Sequence, residues 1–311
     1  MNGQGALGDF LQARRAQVQP DQIGLTTYGD RRRVPGLRRE ELAQLAGVSA
    51  SYYTRLEQGV SLNASPEILD AIARVLGLNP AETTHLHALA EVTKRRPVVR
   101  RPPPEKITAA TVELLTALGS TPAIVTGRRS DVLAWNWMGH ALFAGHLAAD
   151  ISPRPAERPN MARLVFLDAH TRELYADWPS KARAVVGNLR LTVGQHPDDP
   201  LLAALIGELT MKSTEFAALW ADHRIQPCSV AVYEMRHPLV GSVTVSQQTL
   251  LSPVGAGPSI IVATAEAGSP SATALALLDQ AVTPAKTAAG PAASRRPVRV
   301  VAAPRDAPFP D

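Results

Sequence analysis

Arg55, Thr54, Ser51 and Ala50 share one short stretch and carry the chemistry needed to read base-pair edges. A guanidinium can give two parallel hydrogen bonds to guanine, the Ser51 and Thr54 hydroxyls donate or accept, and the Ala50 methyl can touch a thymine methyl. Ser49, Arg38 and Arg39 lie beside them, and their hydroxyl and guanidinium groups suit phosphate oxygens, which fix register without carrying sequence.

Such side chains act together only if one exposed helix presents them. From Arg38 the chain reads RREELAQLAGVSASYYTRLEQG. Leu42, Leu45 and Ala46 fall at i, i+3 and i+4, one face of a first helix, with Ala43 small enough for a second helix to cross closely. Gly47 can take the left-handed conformation that ends a helix, Val48 fills the corner, and Ser49 is an N-cap for the next helix, whose Tyr53 and Leu56 point inward. This is the layout of a helix-turn-helix, whose second helix enters the major groove by its N-terminal end. An ordinary helical hairpin with a capped second helix would also account for Gly47 and Ser49.

Further helices flank the motif. Leu7, Phe10, Leu11 and Arg14 follow helical spacing. Ser65-Pro66-Glu67 caps a helix carrying Ile68, Leu69, Ile72, Val75 and Leu76, which Gly77 ends, and Asn79-Pro80-Ala81-Glu82 starts another with Leu86, Leu89 and Ala90. Five helices in about ninety residues suffice for one small core.

Residues 7–90 resemble the helix-turn-helix domain of phage-repressor (XRE) type transcription regulators. The resemblance is carried by Glu41-Leu42-Ala43, Ala46-Gly47-Val48-Ser49, Tyr53 and Leu56-Glu57-Gln58-Gly59. It implies that Arg15 in the first helix pairs with Glu57 at the end of the recognition helix, a structural pairing. The departure is Gln17 to Pro35, longer than the two to eight residues usual between packed helices. It holds Arg31, Arg32 and Arg33, which either meet phosphates or sit on a solvated loop with no role.

The chain has 311 residues and a formal net charge of +4, so two domains are expected and the charge alone says little. Its distribution says more: residues 1–106 hold 15 basic and 11 acidic side chains, whereas 107–281 hold 12 and 15. The basic excess lies with the motif, and it favours DNA through an attraction that weakens with salt. No run of about 18 apolar residues and no charged-then-apolar leader pattern occurs, which leads us to expect a cytoplasmic protein with no membrane partner. A single Cys228 excludes an internal disulfide and a multi-cysteine zinc site, and reads as a small buried hydrophobe or, less readily, a redox sensor.

Domain boundaries follow from composition: 1–93 for the helical domain, 94–106 (KRRPVVRRPPPEK) for a basic, proline-rich spacer, 107–281 for a second domain, and 282–311, rich in alanine, proline and arginine, for a disordered tail. In the second domain Ile107, Ala110, Leu114, Leu115 and Leu118 trace an amphipathic helix. Ala123 to Thr126 and Asp131 to Asn136 form a hairpin around Gly127-Arg128-Arg129-Ser130. Helices are expected at about 137–147, 160–167, 180–195, 199–211 and 214–222. Strands follow at 229–235, 241–250 and 259–265, with valines alternating at 230 and 232 and at 243 and 245, then a helix over 271–280. The expected fold is therefore multidomain: an all-α helix-turn-helix domain and an α+β, PAS-like domain with helices over one antiparallel sheet.

This second domain resembles the MmyB-like ligand-binding domain of actinobacterial-type regulators along nearly its whole length. The blocks are Gly127 to Asn136, Ala162 to Asp168, Leu174 to Trp178, His196-Pro197-Asp198-Asp199-Pro200 and Phe216 to His223. The resemblance implies a PAS-like fold that binds a small, mostly apolar ligand, with fatty-acyl chains among the candidates. The four tryptophans, Trp135, Trp137, Trp178 and Trp220, with Phe143, Phe166, Phe216 and Tyr175, could line a cavity, with Arg163, His223 and Arg224 meeting a carboxylate or hydroxyl. Each aromatic taken singly reads more readily as core, and the set carries the cavity reading better than its members.

Catalytic patterns are weak. Gly3-Gln4-Gly5-Ala6-Leu7-Gly8 matches a dinucleotide-binding glycine pattern, but no strand precedes it. His85 and His87 are two apart on a helix and face different ways, which disfavours a shared metal. Asp198 and Asp199 before Pro200 more readily cap a helix than bind a metal. No catalytic residue, metal or cofactor is expected. The sequence reads as a ligand-responsive, DNA-binding regulator, with double-stranded DNA as partner and a homodimer expected from the family. The alternative is a constitutive DNA binder whose second domain serves dimerisation or partner recruitment.

Overall fold

Gly8 lets the first helix lie against the end of the third, because a Cβ there would overlap the Glu57 carbonyl oxygen. In the computed structural model, which describes residues 3–23, 36–60, 64–94, 105–151, 154, 157–223, 230–250, 257–282 and 299–300, this close approach organises the N-terminal helices. Gly8 thus has a packing role within a helix, and the glycine pattern it belongs to follows no strand. Arg31, Arg32, Arg33, Arg224, Cys228 and most of the spacer lie outside the described residues.

Five helices form as expected: α1 (Gly3–Gln17), α2 (Arg39–Leu45), α3 (Ala50–Glu57), α4 (Pro66–Val75) and α5 (Pro80–Lys94), with a 3-10 turn at Pro20–Ile23. Leu7, Phe10, Leu11, Leu37, Leu42, Tyr53, Leu56, Ile72 and Leu86 pack into one core. Gly47 has φ +70°, the left-handed value that lets the chain turn directly from α2 into α3. Ser49 caps α3, its Oγ accepting the Tyr52 amide at 3.1 Å. One expectation is corrected. Leu45 is 43% exposed, because only Leu42 and Ala43 of α2 reach the core.

The second domain supplies α6 (Ala109–Ala117), β1 (Ala123–Thr126), β2 (Val132–Trp135), α7 (Trp137–Ala144), α8 (Met161–Leu167), α9 (Ala169–Leu174), α10 (Trp178–Gln195), α11 (Pro200–Lys212), α12 (Thr214–Ala221), β3 (Val230–His237), β4 (Gly241–Leu250), β5 (Ser259–Thr264) and α13 (Pro270–Val282). With β6 (Arg299–Val300), the strands build one antiparallel sheet in the order β3-β4-β5-β1-β2-β6. Strand pair, helices and three strands are the expected α+β order. Within the stretch expected to be a structureless tail, Arg299–Val300 form β6, pairing with Trp135 and Ala134 of β2.

Every residue of β1 and β2 is buried, so both faces of that part of the sheet are covered. Leu115 of α6 joins Ala123, Val125, Leu133 and Ala134 in one cluster. The alternating valines divide. Val243 and Val245 on β4 are fully buried, whereas Val230 and Val232 on β3 are 59% and 68% exposed, because Tyr233, Met235 and His237 take the inner face of that strand. Period 2 fixes that neighbours alternate, and only the register says which set faces in.

The chain divides into two compact units, one of residues 1–102 with 186–227, the other of 103–185 with 228–311. The division falls inside α10. Its C-terminal half packs on the N-terminal helices: Leu191 joins their core, and Gly194 approaches the His85 ring so closely that a Cβ would overlap Nδ1.

Candidate nucleic-acid interface and ligand-binding domain

Glu57 is the residue that fixes α3. Its carboxylate is buried and accepts two hydrogen bonds from Arg15, Nε to Oε2 and Nη2 to Oε1, both at 2.9 Å. Arg39 adds Nε and Nη2 to Oε1 at 3.0 and 2.8 Å. Arg15 also donates Nη1 to the Leu37 carbonyl at 2.7 Å, and its own carbonyl accepts the Leu37 amide. One buried network therefore ties α1, the entry to α2 and the end of α3. Burial pushes the Glu57 carboxyl upward, and the hydrogen bonds and charges of Arg15 and Arg39 outweigh it, holding the group below the ordinary carboxylate range. The pairing of Arg15 with Glu57 is the one implied by the resemblance; Arg39 is the addition.

With the inner face locked, the other face is determined. Ser49, Ala50, Ser51 and Arg55 are exposed and Thr54 is half-buried, while Tyr53 and Leu56 are fully buried. The Arg55 guanidinium has no ion-pair or hydrogen-bond partner among the described residues. Arg38 is exposed beside α2, its backbone N–H donating to Glu41 Oε2 at 2.7 Å. Arg39 is half-exposed and already engaged with Glu57. Of the proposed DNA-contacting set, then, Ser49, Ala50, Ser51, Thr54 and Arg55 lie at the α2–α3 turn and along α3, whereas Arg38 and Arg39 stand at the start of α2, with Arg39 bonded to Glu57 at the far end of α3.

The residues singled out for a ligand fall into two groups. In the unit holding the sheet, Trp135 is buried, donates Nε1 to the Ala149 carbonyl at 2.8 Å and tilts against His140. Phe143 is buried in α7. Phe166 and Trp178 meet edge to face at 5.8 Å, Trp178 Nε1 donates to the Val165 carbonyl at 2.7 Å, and Arg172 lies 3.9 Å over its ring. Arg163, on α8, is half-buried.

Phe216, Trp220 and His223 belong to the unit of the N-terminal helices, where they gather around Arg190. Trp220 stacks on Phe216 at 5.5 Å, and the Arg190 guanidinium lies 4.5 Å over the Trp220 ring. Arg190 donates Nη1 to His223 Nδ1 at 3.0 Å, which requires an imidazole without a proton on that nitrogen. Burial and then the Arg190 charge push His223 down to about 4, so it is neutral at pH 7. Burial, Arg190 and His223 push His85 down to about 3, and its ring packs edge-on against Phe10. His87 instead pairs with Asp70 at 2.8 Å, so the two histidines do face different ways. Asp199 caps α11, its Oδ1 accepting the amides of Leu201 and Leu202 at 3.0 and 3.2 Å. Among the described residues no group of three or more His, Cys, Asp or Glu side chains is arranged to hold a metal ion.

Sequence reasoning passed over Asn136 and Lys181. Asn136 has no exposed surface and makes four hydrogen bonds: Oδ1 accepts the Ala123 and Gly139 amides at 3.1 and 2.8 Å, and Nδ2 donates to the Gly119 and Thr121 carbonyls at 3.2 and 2.7 Å. It joins α6, β1 and the start of α7. Lys181 is a buried lysine on the inner side of the sheet. The only signal for it in the sequence was a basic residue at a core-facing position of α10, which helical periodicity does not separate from a solvated one.

A helix-turn-helix with an open recognition face, joined to an α+β domain of PAS-like order, defines a DNA-binding regulator with a sensor-type second domain. The comparisons agree. Residues 6–86 match a helix-turn-helix domain, and residues 107–278 match the MmyB-like transcription regulator ligand binding domain. The second match covers more than half of the chain, which belongs to that family of transcription regulators. A search of curated proteins finds no match. Among the described residues no helix is long and apolar enough to cross a membrane.

Proposed function

We propose that the chain is a sequence-specific, cytoplasmic regulator that reads duplex DNA with the outer face of α3, and whose second domain responds to a small, mostly apolar ligand. Two such helix-turn-helix units, in a homodimer, would read half-sites one or more helical turns apart. A ligand shifts this system only by as much as it prefers one state, and its effect passes through the changed placement of the two units on DNA. The protein performs no chemistry on the ligand.

The observation that carries the DNA reading is the state of α3. Ala50, Ser51 and Arg55 stand exposed on a helix whose opposite face is fixed by the Glu57 network, which is the preorganisation that base readout needs. Supporting the ligand reading is the buried aromatic set around α7, α8 and α10 within a domain of the MmyB-like family.

Arg55→Ala is expected to lower affinity for a matched site by about 1–3 kcal/mol and to relax preference at one base position. Titration of matched and mismatched duplexes by fluorescence anisotropy measures this. Equal losses on both would remove Arg55 from base readout and leave it as a phosphate contact.

A further inference from the structure

The family match and the fold divide the chain differently. The ligand-binding match runs from 107 to 278, yet residues 186–227 form one unit with the N-terminal helices. Leu191 of α10 joins the core of those helices, and the Gly194 backbone lies against the ring of His85 on α5.

Arg190 stands at the centre of that packing. It is 4% exposed, and its hydrogen bonds go to neutral groups, Nη1 to His223 Nδ1 at 3.0 Å and Nη2 to the Trp220 carbonyl at 2.5 Å. Burial, opposed by the Asp222 charge, pushes Arg190 down to about 10, so the guanidinium stays charged at pH 7. A buried cation is costly to desolvate, and an apolar side chain would pack α10 here without that cost. What the guanidinium adds is a fixed end to α12. The Trp220 carbonyl is among the last of that helix, at the negative end of its dipole. His223 is held at φ +54°, a left-handed value uncommon for a residue with a side chain.

Asp222 lies between these two anchored residues in the chain, and there α12 meets α1. Gln17 Nε2 donates to the Asp222 carbonyl at 2.6 Å and to its Oδ1 at 3.0 Å. Gln17 Oε1 accepts from Arg14 Nη1 at 2.8 Å, and Arg14 Nη2 reaches Glu82 of α5 at 3.2 Å. Two residues before Gln17, Arg15 holds Glu57, which fixes α3.

We propose that Arg190 and Gln17 are positioning residues for DNA reading: Arg190 fixes the end of α12, Gln17 docks that end on α1, and α1 carries the constraint through Arg15 and Glu57 to α3. A segment that belongs by sequence to the ligand-binding domain is thereby a working part of the DNA-reading unit. The inference rests on the reading of α3 as the recognition helix and adds residues outside the helix-turn-helix that set its pose.

Base contacts need α3 in one pose, whereas attraction to phosphates acts without it. Loosening the clamp should therefore lower discrimination, the ratio of affinities for a matched and a scrambled duplex. Partial unfolding would lower both affinities alike. Fluorescence anisotropy on the full chain, with a duplex selected from a randomised library and its scrambled counterpart, measures the ratio. Arg190→Met should reduce it by about tenfold and Gln17→Met several-fold, with Arg190→Lys falling between Arg190→Met and the unaltered chain. The Gln17 bonds lie at the surface, so Gln17→Met keeps the fold and decides the question if Arg190→Met does not fold. An unchanged ratio in Gln17→Met overturns the proposal, as do equal losses on both duplexes. A ratio of one in the unaltered chain overturns the reading of α3 itself.

Discussion

Glu57→Ala will destabilise the DNA-binding helices by about 3–5 kcal/mol, because it leaves Arg15 buried with its charge uncompensated. The loss exceeds that of an ordinary ion pair for a geometric reason. Arg15 is tied to the Leu37 carbonyl as well as to Glu57, so its guanidinium cannot swing out to water without breaking the link between α1 and the entry to α2. Urea denaturation followed by circular dichroism measures the change; a loss under about 1 kcal/mol would show that α3 is held by its apolar contacts alone. The pH dependence has a definite sign. The Glu57 carboxyl is held below its ordinary value of 4.5 in the folded chain, so its contribution is complete above that value and disappears as pH falls through the depressed folded value. Glu57→Gln should flatten that part of the acid limb. DNA affinity should fall with the same substitution, since α3 loses its fixed face.

Asn136→Ala will cost the second domain about 3–5 kcal/mol. Two buried amides, of Ala123 and Gly139, lose their acceptor, and the Gly119 and Thr121 carbonyls lose their donor. Each orphaned buried group costs about 1–3 kcal/mol, and the helix cap on α7 goes with them. Asn136→Asp separates the roles: its carboxylate can still accept the two amides but faces two carbonyl oxygens. It should be destabilised nearly as much at pH 7 and partly recover on protonation of the introduced carboxyl. Thermal unfolding of the two variants checks this, and a shift no larger than that of a surface substitution would contradict it.

The helix-turn-helix was legible because its signals are local. Gly47 and Ser49 announce the turn by conformational freedom and capping, and Leu42, Tyr53 and Leu56 by spacing. Leu45 misled for the same reason, since the period of a seven-residue helix defines a stripe too broad to say which edge meets the core. In the second domain element order came through well, yet α9 did not. Its sequence AHTREL has no repeated apolar interval, and it forms because Asp168 caps it, accepting the Thr171 amide and hydroxyl at 2.7 Å each. What the sequence hid is tertiary. The inward set of β3, the four bonds of Asn136, the burial of Lys181 and the gathering of Phe216, Trp220 and His223 about Arg190 each depend on residues far apart in the chain. The aromatic residues chosen as one pocket belong to two units for that reason: composition marked them as large and apolar, and only the packing distributes them.

The central claim is that α3 reads duplex DNA. Selection of bound duplexes from a randomised library, with the unaltered chain and Arg55→Ala in parallel, tests it most directly. The account predicts a defined consensus for the unaltered chain, often repeated at about one helical turn, and loss of preference at one base position per half-site in the variant. Enrichment of no consensus by the unaltered chain, or an identical consensus of equal strength from Arg55→Ala, would contradict it.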